Sequence, residues 1–506
     1  MHDPNANGIV YLVGAGPGDP GLITVKGQAC IGKADVIIYD YLASPSLLQY
    51  ARKDAECIYV GKKGADHTLS QEGINALIVT KAKAGCVVTR LKGGDPYIFG
   101  RGGEEAEELI AAGIAFEVVP GVTSAIAGPA YAGIPLTHRK FTSTVAFVTG
   151  HEDPGKEASG IDWQSLATGI GTLVFFMGVK NLPHIVAQLI EHGKSAVIQW
   201  GTTTRQKTVT GTLRTIEAAV RSAGIKAPAL IVVGKVVELR QTLQWFEQRP
   251  LFGKRVVVTR AREQASELVR RLEELGAECL EVPTIKTVAP QDWTALDQAI
   301  NRLEAYDWLI FTSVNGVNFF FERLFQRGKD VRALGRVKTA AIGPATAQRL
   351  LEFGLRSDLI PATYQAESVI AAFAAEDLTG KKILLPRAKE ARAILPEQLC
   401  RMGAAVEEVV AYQTLAVENG ADQLLEELKA GRIDLVTFTS SSTVANFRRL
   451  IPDALFDGLM ENLTVASIGP ITSETARRLG FQVDISASAY TIPGLCQAIV
   501  EHYCRG

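Results

Sequence analysis

Short apolar runs alternate along this chain with glycine- and proline-rich turns and mixed apolar–polar stretches, the rhythm of repeated strand–turn–helix units. GIVYLVGAGPGDPGLITVKG, Gly8 to Gly27, reads as a strand entering a tight turn and then a helix, and DVIIYD is a second strand that ends on Asp40. CIYVGKK, Cys57 to Lys63, repeats the design with a cationic end at Lys62, and VVTRL delivers the glycine-rich loop LKGGDPYIFGRGGEE, Leu91 to Glu105. Within that loop Gly93 and Gly94 suit positive φ or close approach of a ligand, Pro96 holds a turn, and Tyr97, Ile98 and Phe99 have the composition of a buried triplet. Glu104 and Glu105 suit the positive end of the helix that follows.

AFEVVPGVTSAIAGPAYAGIPLTHRK, Ala115 to Lys140, is another strand, feeding a helix of small residues that allows a second helix or a ligand to come close. Thr123 and Ser124 open that helix, as caps or as ligand contacts. Four further apolar runs, VAFVTGH, TLVFFMG, AVIQWGTTTRQKTVTGTL and PALIVVGKVV, form a second α/β lobe. The alternating threonines of TVTGTL predict an antiparallel or edge strand, and Met177 in FFMG reads as a core residue. A polar, proline-terminated stretch, Leu239 to Pro250, then precedes a fresh strand, KRVVVT, and marks a domain boundary.

Beyond that boundary the chain repeats itself. VVVTRAREQASELVRRLEELGAECLEV, from Val256, matches ILLPRAKEARAILPEQLCRMGAAVEEV, from Ile383, and FTSVNGVNFF at Phe311 matches FTSSSTVANF at Phe438 with the same offset. AIGPATAQRLLEFG at Ala341 matches SIGPITSETARRLG at Ser467, one position earlier in register. Two like α/β units with parallel sheets follow, each with strand-end Ser and Thr residues whose simplest role is helix capping. The overall class is α/β.

Composition narrows the function. At 506 residues the chain exceeds one hydrophobic core, and a formal charge of −1 argues against non-specific nucleic-acid binding. Seven scattered cysteines without a CxxC pair read as reduced thiols of a cytoplasmic protein, and no metal site is expected. The polar start MHDPNANG is unlike a signal peptide, and no apolar run is long enough to span a bilayer. The spacing of Gly14, Gly16 and Gly18 is not GxGxxG, and Pro17 would remove a donor from a pyrophosphate cradle, so a dinucleotide is disfavoured. Asp40 is placed as a base or as a solvated strand end, Lys62 as an acid or anion contact, and His138, Arg139 and Lys140 form a cationic cluster.

The ordered motifs GAGPGDPGLITVKG, VIIYD, VGKK, LKGGDPYIFGRGGEE, VPGVTSAIAGPAYAGIPLTHR, VTGH, FFMG and PALIVVGKVV resemble the uroporphyrinogen-III C-methyltransferases of the tetrapyrrole methylase superfamily across residues 8 to 245. The resemblance implies a two-lobed methylase, lobes about 1–140 and 141–245, that moves methyl groups from S-adenosylmethionine to two carbons of uroporphyrinogen III, giving precorrin-2 and S-adenosylhomocysteine. It puts the donor against Pro17, Gly93, Gly94, Asp95, Ile98, Thr123, Ser124, Met177 and Gly201, and makes Asp40 the proton acceptor and Lys62 the proton donor. Arg101, Arg139 and Lys140 are candidates for the substrate carboxylates, since Arg meets a carboxylate bidentately. A homodimer through the methylase half is also implied.

Residues 254–506 resemble uroporphyrinogen-III synthase, joined to the first half by a linker at 246–253. That family cyclises hydroxymethylbilane with loss of water and inversion of the last ring, and its chain crosses twice between two domains. The resemblance implies lobe A at about 254–287 plus 416–506, lobe B at about 290–412, and crossings near Thr287 to Pro290 and Tyr412 to Ala416. Tyr412, in VVAYQT, is the candidate to assist loss of the hydroxyl; Thr312, Ser313, Thr439 and Ser440 are candidate substrate contacts. The expected partners are therefore small tetrapyrroles, with no nucleic acid and no membrane. A rival reading is a different S-adenosylmethionine-dependent methylase whose second half is a degenerate, non-catalytic binding domain.

Overall fold

The central strands of the first sheet bury side chains on both faces, which accounts for apolar runs such as IVYLV and VIIY. In the computed structural model, which describes residues 8–61, 69–151, 160–189, 194–259, 262–361, 366–391, 393–416 and 421–504, this sheet contains β1 (Ile9–Gly14), β2 (Val36–Tyr39), β3 (Glu56–Tyr59), β4 (Val88–Lys92) and β5 (Ala115–Val119). Their order is β3-β2-β4-β1-β5, all parallel. Val10 and Leu12 face Ile74 and Ile78 of α2 (Gln71–Lys83) and Leu109 of α3 (Gly102–Ala111). Tyr11 and Val13 face Cys30 and Ile31 of α1 (Val25–Lys33) on the other side. Parallel order brings the carboxyl ends of β1, β2, β4 and β5 to one edge, where their loops meet.

The second sheet, β6 (Val145–Thr149), β7 (Thr172–Phe176), β8 (Lys194–Gln199), β9 (Lys207–Thr212) and β10 (Ala229–Val233), has the order β6-β7-β10-β8-β9. The TVTGTL stretch is β9, an antiparallel edge strand beside β8. The small-residue helix α4 (Ser124–Tyr131) packs onto this sheet, its Ala125 joining Val174, Ile198, Leu230 and Val232 in one core. A Cβ on Gly128 would stand 3.0 Å from Leu230 Cδ1, so the small side chains serve the approach of a sheet.

The chain divides into two compact units, Met1–Lys254 with Glu273–Glu278, and Arg255–Leu272 with Cys279–Gly506. Residues 246–253, expected as a linker, are folded onto the first unit. Phe246 is buried, with its ring 4.7 Å from Tyr131 and 5.3 Å from Phe252. Apolar side chains at both ends of the stretch supply the reason: an aromatic ring gains more by packing than a polar tether loses by ordering.

The second unit exchanges halves of its repeat. One sheet, in the order β12-β11-β18-β19-β20, unites β11 (Arg255–Val258) and β12 (Glu278–Glu281) with β18 (Leu435–Phe438), β19 (Thr464–Ser467) and β20 (Ile485–Ser486). The other, β13-β17-β16-β14-β15, unites β14 (Trp308–Phe311) and β15 (Lys338–Ala341) with β16 (Lys382–Ala388) and β17 (Ala405–Ala416), with β13 (Ile285–Val288) at its edge. These sheets are parallel except at β13, which pairs antiparallel with the end of β17, Thr287 opposite Thr414 and Val288 opposite Gln413. The two stretches expected as crossings thus run side by side as a ribbon. Among the described residues no helix is long and apolar enough to cross a membrane.

The packing of residues 246–253 predicts that Phe246→Ala costs about 3–5 kcal/mol, read as a lowered urea midpoint of the whole chain. An unchanged midpoint would show that the Phe246 ring does not hold the stretch in place.

Candidate active sites

Three strand-end loops of the first unit touch main chain to main chain. Gly94 N–H donates to Gly16 O (2.7 Å), Gly16 N–H to Gly94 O (3.2 Å), and Ala15 N–H to Lys92 O (2.7 Å). The fit admits no side chains: a Cβ on Gly121 would lie 2.3 Å from Gly94 O and 2.7 Å from Gly14 Cα, and one on Gly93 would lie 2.4 Å from Leu42 Cβ. Gly94 also needs its φ of 69°. The Asp95 carboxylate completes the lock by accepting Tyr97 N–H (2.8 Å) and Gly121 N–H (2.9 Å). Asp19 joins the same frame, accepting Tyr131 O–H (2.7 Å) while its own N–H donates to Thr202 Oγ1 (3.2 Å). Burial, and next Asp19, push the Tyr131 phenol well above its ordinary range.

From this frame the tips project. Tyr97, Ile98 and Phe99, expected to be buried, are exposed, because Asp95 and Pro96 turn the loop outward. Met177, expected in the core, is 54% exposed just beyond the end of β7. Phe99 lies 4.9 Å from Phe176, and Tyr41 lies 5.8 Å from Trp200, so tips of both lobes meet. The non-glycine residues with positive φ among those described are Phe99, Arg101, Met177, Trp200 and Thr202. Each costs about 1–3 kcal/mol, and such strain collects where a site must be shaped in advance. Exposed apolar side chains around a closely packed main-chain frame are features of a ligand-binding surface.

Behind the loops lies a buried charge cluster. Arg90 donates through Nη2 to Asp40 Oδ2 (3.1 Å), through Nε to Glu105 Oε1 (3.2 Å) and through Nη1 to Leu91 O (3.1 Å). Lys92 Nζ donates to the same Glu105 oxygen (2.6 Å). Burial first, and Arg90 next, lower the Lys92 pKa, with Glu105 opposing the shift. Asp40 also accepts Leu42 N–H through Oδ1 (3.2 Å), so its carboxylate is held in a fixed orientation at the strand edge. Glu105, expected to serve the helix dipole, is instead the buried counter-ion of two cations. Basic residues at alternate positions of the otherwise apolar β4 are the sequence signal that could have revealed the cluster.

The other candidates divide. Pro17 stands in the β1 turn between Gly16 and Gly18, which both have positive φ. Thr123 is the cap position of α4, buried, yet its hydroxyl makes no capping bond, and Ser124 is the first helical residue. Gly201 follows Trp200, and a Cβ there would meet Gly128 Cα at 3.1 Å. Arg101 is exposed and paired with the equally exposed Glu104, an interaction worth about 0–1 kcal/mol. Arg139 and Lys140 are exposed in the turn between His138 and Thr142, outside the interlocked loops. Lys62 lies outside the described residues.

In the second unit, Thr312 and Ser313 follow β14, and Thr439 and Ser440 follow β18. Ser313 caps the helix Val314–Gln326 by accepting Gly316 N–H (3.0 Å), and Ser440 caps the helix Ser441–Arg449. Ser313 Oγ also lies 2.9 Å from Tyr412 Oη, a link between two candidates that their separation in sequence hides. Tyr412 is stacked on Phe319 at 5.8 Å where β17 leaves its parallel partner for the ribbon. Burial raises its pKa, so the phenol keeps its proton at neutral pH.

Two family models match separate parts of this chain. Residues 9–217 match the family of tetrapyrrole (corrin/porphyrin) methylases, and residues 266–497 match that of uroporphyrinogen-III synthase HemD. A porphyrin biosynthesis protein HemD from Ruminiclostridium josui is 37% identical over 500 residues, covering 98% of both chains. The uroporphyrinogen-III C-methyltransferase of Bacillus subtilis is 45% identical over 70% of this chain and 73% of its own. That of Priestia megaterium is 57% identical over 46% of this chain and 98% of its own. The chain belongs to the family in which a uroporphyrinogen-III C-methyltransferase of the tetrapyrrole methylase superfamily is fused to a uroporphyrinogen-III synthase.

Proposed function

We propose that this chain performs two consecutive steps of tetrapyrrole synthesis. The second unit closes hydroxymethylbilane to uroporphyrinogen III, with loss of water and inversion of the last ring. The first unit methylates uroporphyrinogen III twice to give precorrin-2. The observation that carries the reading is the convergence of interlocked glycine loops with the oriented carboxylate of Asp40 at one sheet edge.

S-adenosylmethionine supplies an activated methyl group whose departure as a neutral thioether needs no acid. The residues present fit it: the uncapped hydroxyl of Thr123, the main chain at Gly93–Asp95 and Gly201, and the exposed side chains of Ile98 and Met177 provide polar and apolar contacts from both lobes. Their task is to hold carbon and methyl in line, and rigidity serves that task directly. Asp40, oriented by Arg90 and Leu42, takes the proton released when a methylated pyrrole carbon restores its conjugation. Lys62 is the matching donor in this reading. Arg101 is the nearest of the three cationic candidates to the loop tips in sequence and grips a substrate carboxylate, with Arg139 and Lys140 as further contacts.

In the second unit Tyr412 donates its proton to the departing hydroxyl, and Ser313, Thr312, Thr439 and Ser440 contact the bilane at the strand ends. The methylase domain spans about 1–245 and the synthase domain 254–506, with lobe exchange at the β13–β17 ribbon as support for its two lobes. Association through the methylase half is supported by exposed Ile126 on α4 and by exposed Leu243 and Trp245, the latter bonded to Ala130 O at the end of that helix. Seven free thiols favour the cytoplasm.

Asp95 fastens the donor loop through two bonds, one of which would leave the Gly121 N–H unpaired, whereas Arg101 makes only an exposed ion pair. Asp95→Ala is therefore expected to weaken S-adenosylmethionine binding about tenfold or more, and Arg101→Ala less than about threefold, in calorimetric titration of the whole chain. Equal losses would show that the loop is wrongly divided. Tyr412→Phe should slow consumption of hydroxymethylbilane about tenfold or more, and unchanged turnover would remove Tyr412 from the mechanism.

A further inference from the structure

One buried acid has no task in the mechanism above. Glu105 is 1% exposed, and its Oε1 accepts from Arg90 Nε (3.2 Å), Lys92 Nζ (2.6 Å) and Gln71 Nε2 (3.2 Å). Its other oxygen, Oε2, is buried without a hydrogen-bond partner. The pairing of Oε1 with two buried cations indicates that charge, and not hydrogen bonding alone, is what the position supplies.

The need for that charge comes from β4. Arg90 and Lys92 alternate along the strand and project from the same face, so two cations lie together where water cannot screen them. With Asp40 and Glu105 the cluster holds two positive and two negative groups. Arg90 spans both acids, with Nε on Glu105 and Nη2 on Asp40. Without Glu105 the Asp40 carboxylate would face two otherwise uncompensated cations, and Lys92 would be drawn toward it. Without Lys92, Glu105 would compete with Asp40 for the guanidinium.

We propose that Glu105 is a positioning residue for methyl transfer: it neutralises Lys92 and clamps one edge of Arg90, so that the other edge holds Asp40 in its working orientation. This rests on Asp40 as proton acceptor. Glu105 touches neither substrate nor donor in this role and acts only through Arg90.

The test uses the whole chain with uroporphyrinogen III and S-adenosylmethionine at steady state. Glu105→Gln keeps the size and the Oε1 acceptor but removes the charge; kcat is expected to fall about tenfold or more, with both KM values within about threefold. Adding Lys92→Met rebalances the cluster and should bring kcat back to within about threefold of the parent, a recovery that a merely structural role would not produce. In an Asp40→Asn background, Glu105→Gln should cause no further loss. If Glu105→Gln alone does not accumulate, Lys92→Met alone is expected to lower kcat in the same way, and the pair again to restore it. Full kcat in Glu105→Gln, a pair no better than the single variants, or losses that multiply with Asp40→Asn would overturn the proposal. An Asp40→Asn chain with undiminished kcat would overturn the proton-acceptor reading and this one together, whereas an inactive Asp40→Asn beside a fully active Glu105→Gln overturns this one alone.

Discussion

The contact of bare main chain at Gly14, Gly94 and Gly121 is the constraint on which the first unit depends. Loops that leave a parallel sheet usually diverge, since side chains at the strand ends keep them apart. Here the absence of a Cβ at each crossing lets three loops hydrogen-bond and touch as if they were part of the sheet. That converts flexible connections into a platform, and Asp95 fastens it from the side. From this platform project Phe99 and Arg101 in left-handed conformations, with the apolar tips in water. The strain is local, and the frame that tolerates it also orients reactants at near-attack distance.

The second unit solves a different problem by exchange. Each repeat contributes its first two strands to one sheet and its next three to the other, so neither copy closes its own core. The two crossings pair with each other as β13 and the end of β17, which gives their main chains partners that a single crossing would lack. Tyr412 sits where the parallel sheet ends and this ribbon begins, linked to the cap serine of the helix after β14. A residue at such a junction is held firmly by the sheet, yet adjoins the segment that joins the lobes.

Much of this was legible in the sequence, for identifiable reasons. Strands buried on both faces announce themselves as apolar runs, and a duplication is visible without any structure, so the α/β class and the repeated second half follow from pattern. The loop Leu91 to Glu105 is marked by its glycines. Exposure was not legible: Tyr97, Ile98, Phe99 and Met177 have core composition, and only the outward turn after Asp95 and the positive φ at Phe99 and Met177 show that they face solvent. Nor was Glu105, because an acid in a first helical turn already has an ordinary explanation, and its burial depends on cations on a neighbouring strand. Residues 246–253 look like a tether because their polar residues outnumber the rings that actually hold them.

The central claim is that one chain couples ring closure to double methylation. It is tested most directly by supplying the whole chain with hydroxymethylbilane and S-adenosylmethionine alone and determining the mass and isomer of the product. The expected product is the type III macrocycle carrying two additional methyl groups, together with S-adenosylhomocysteine. An unmethylated ring, or the uninverted type I ring as the only product, would contradict it.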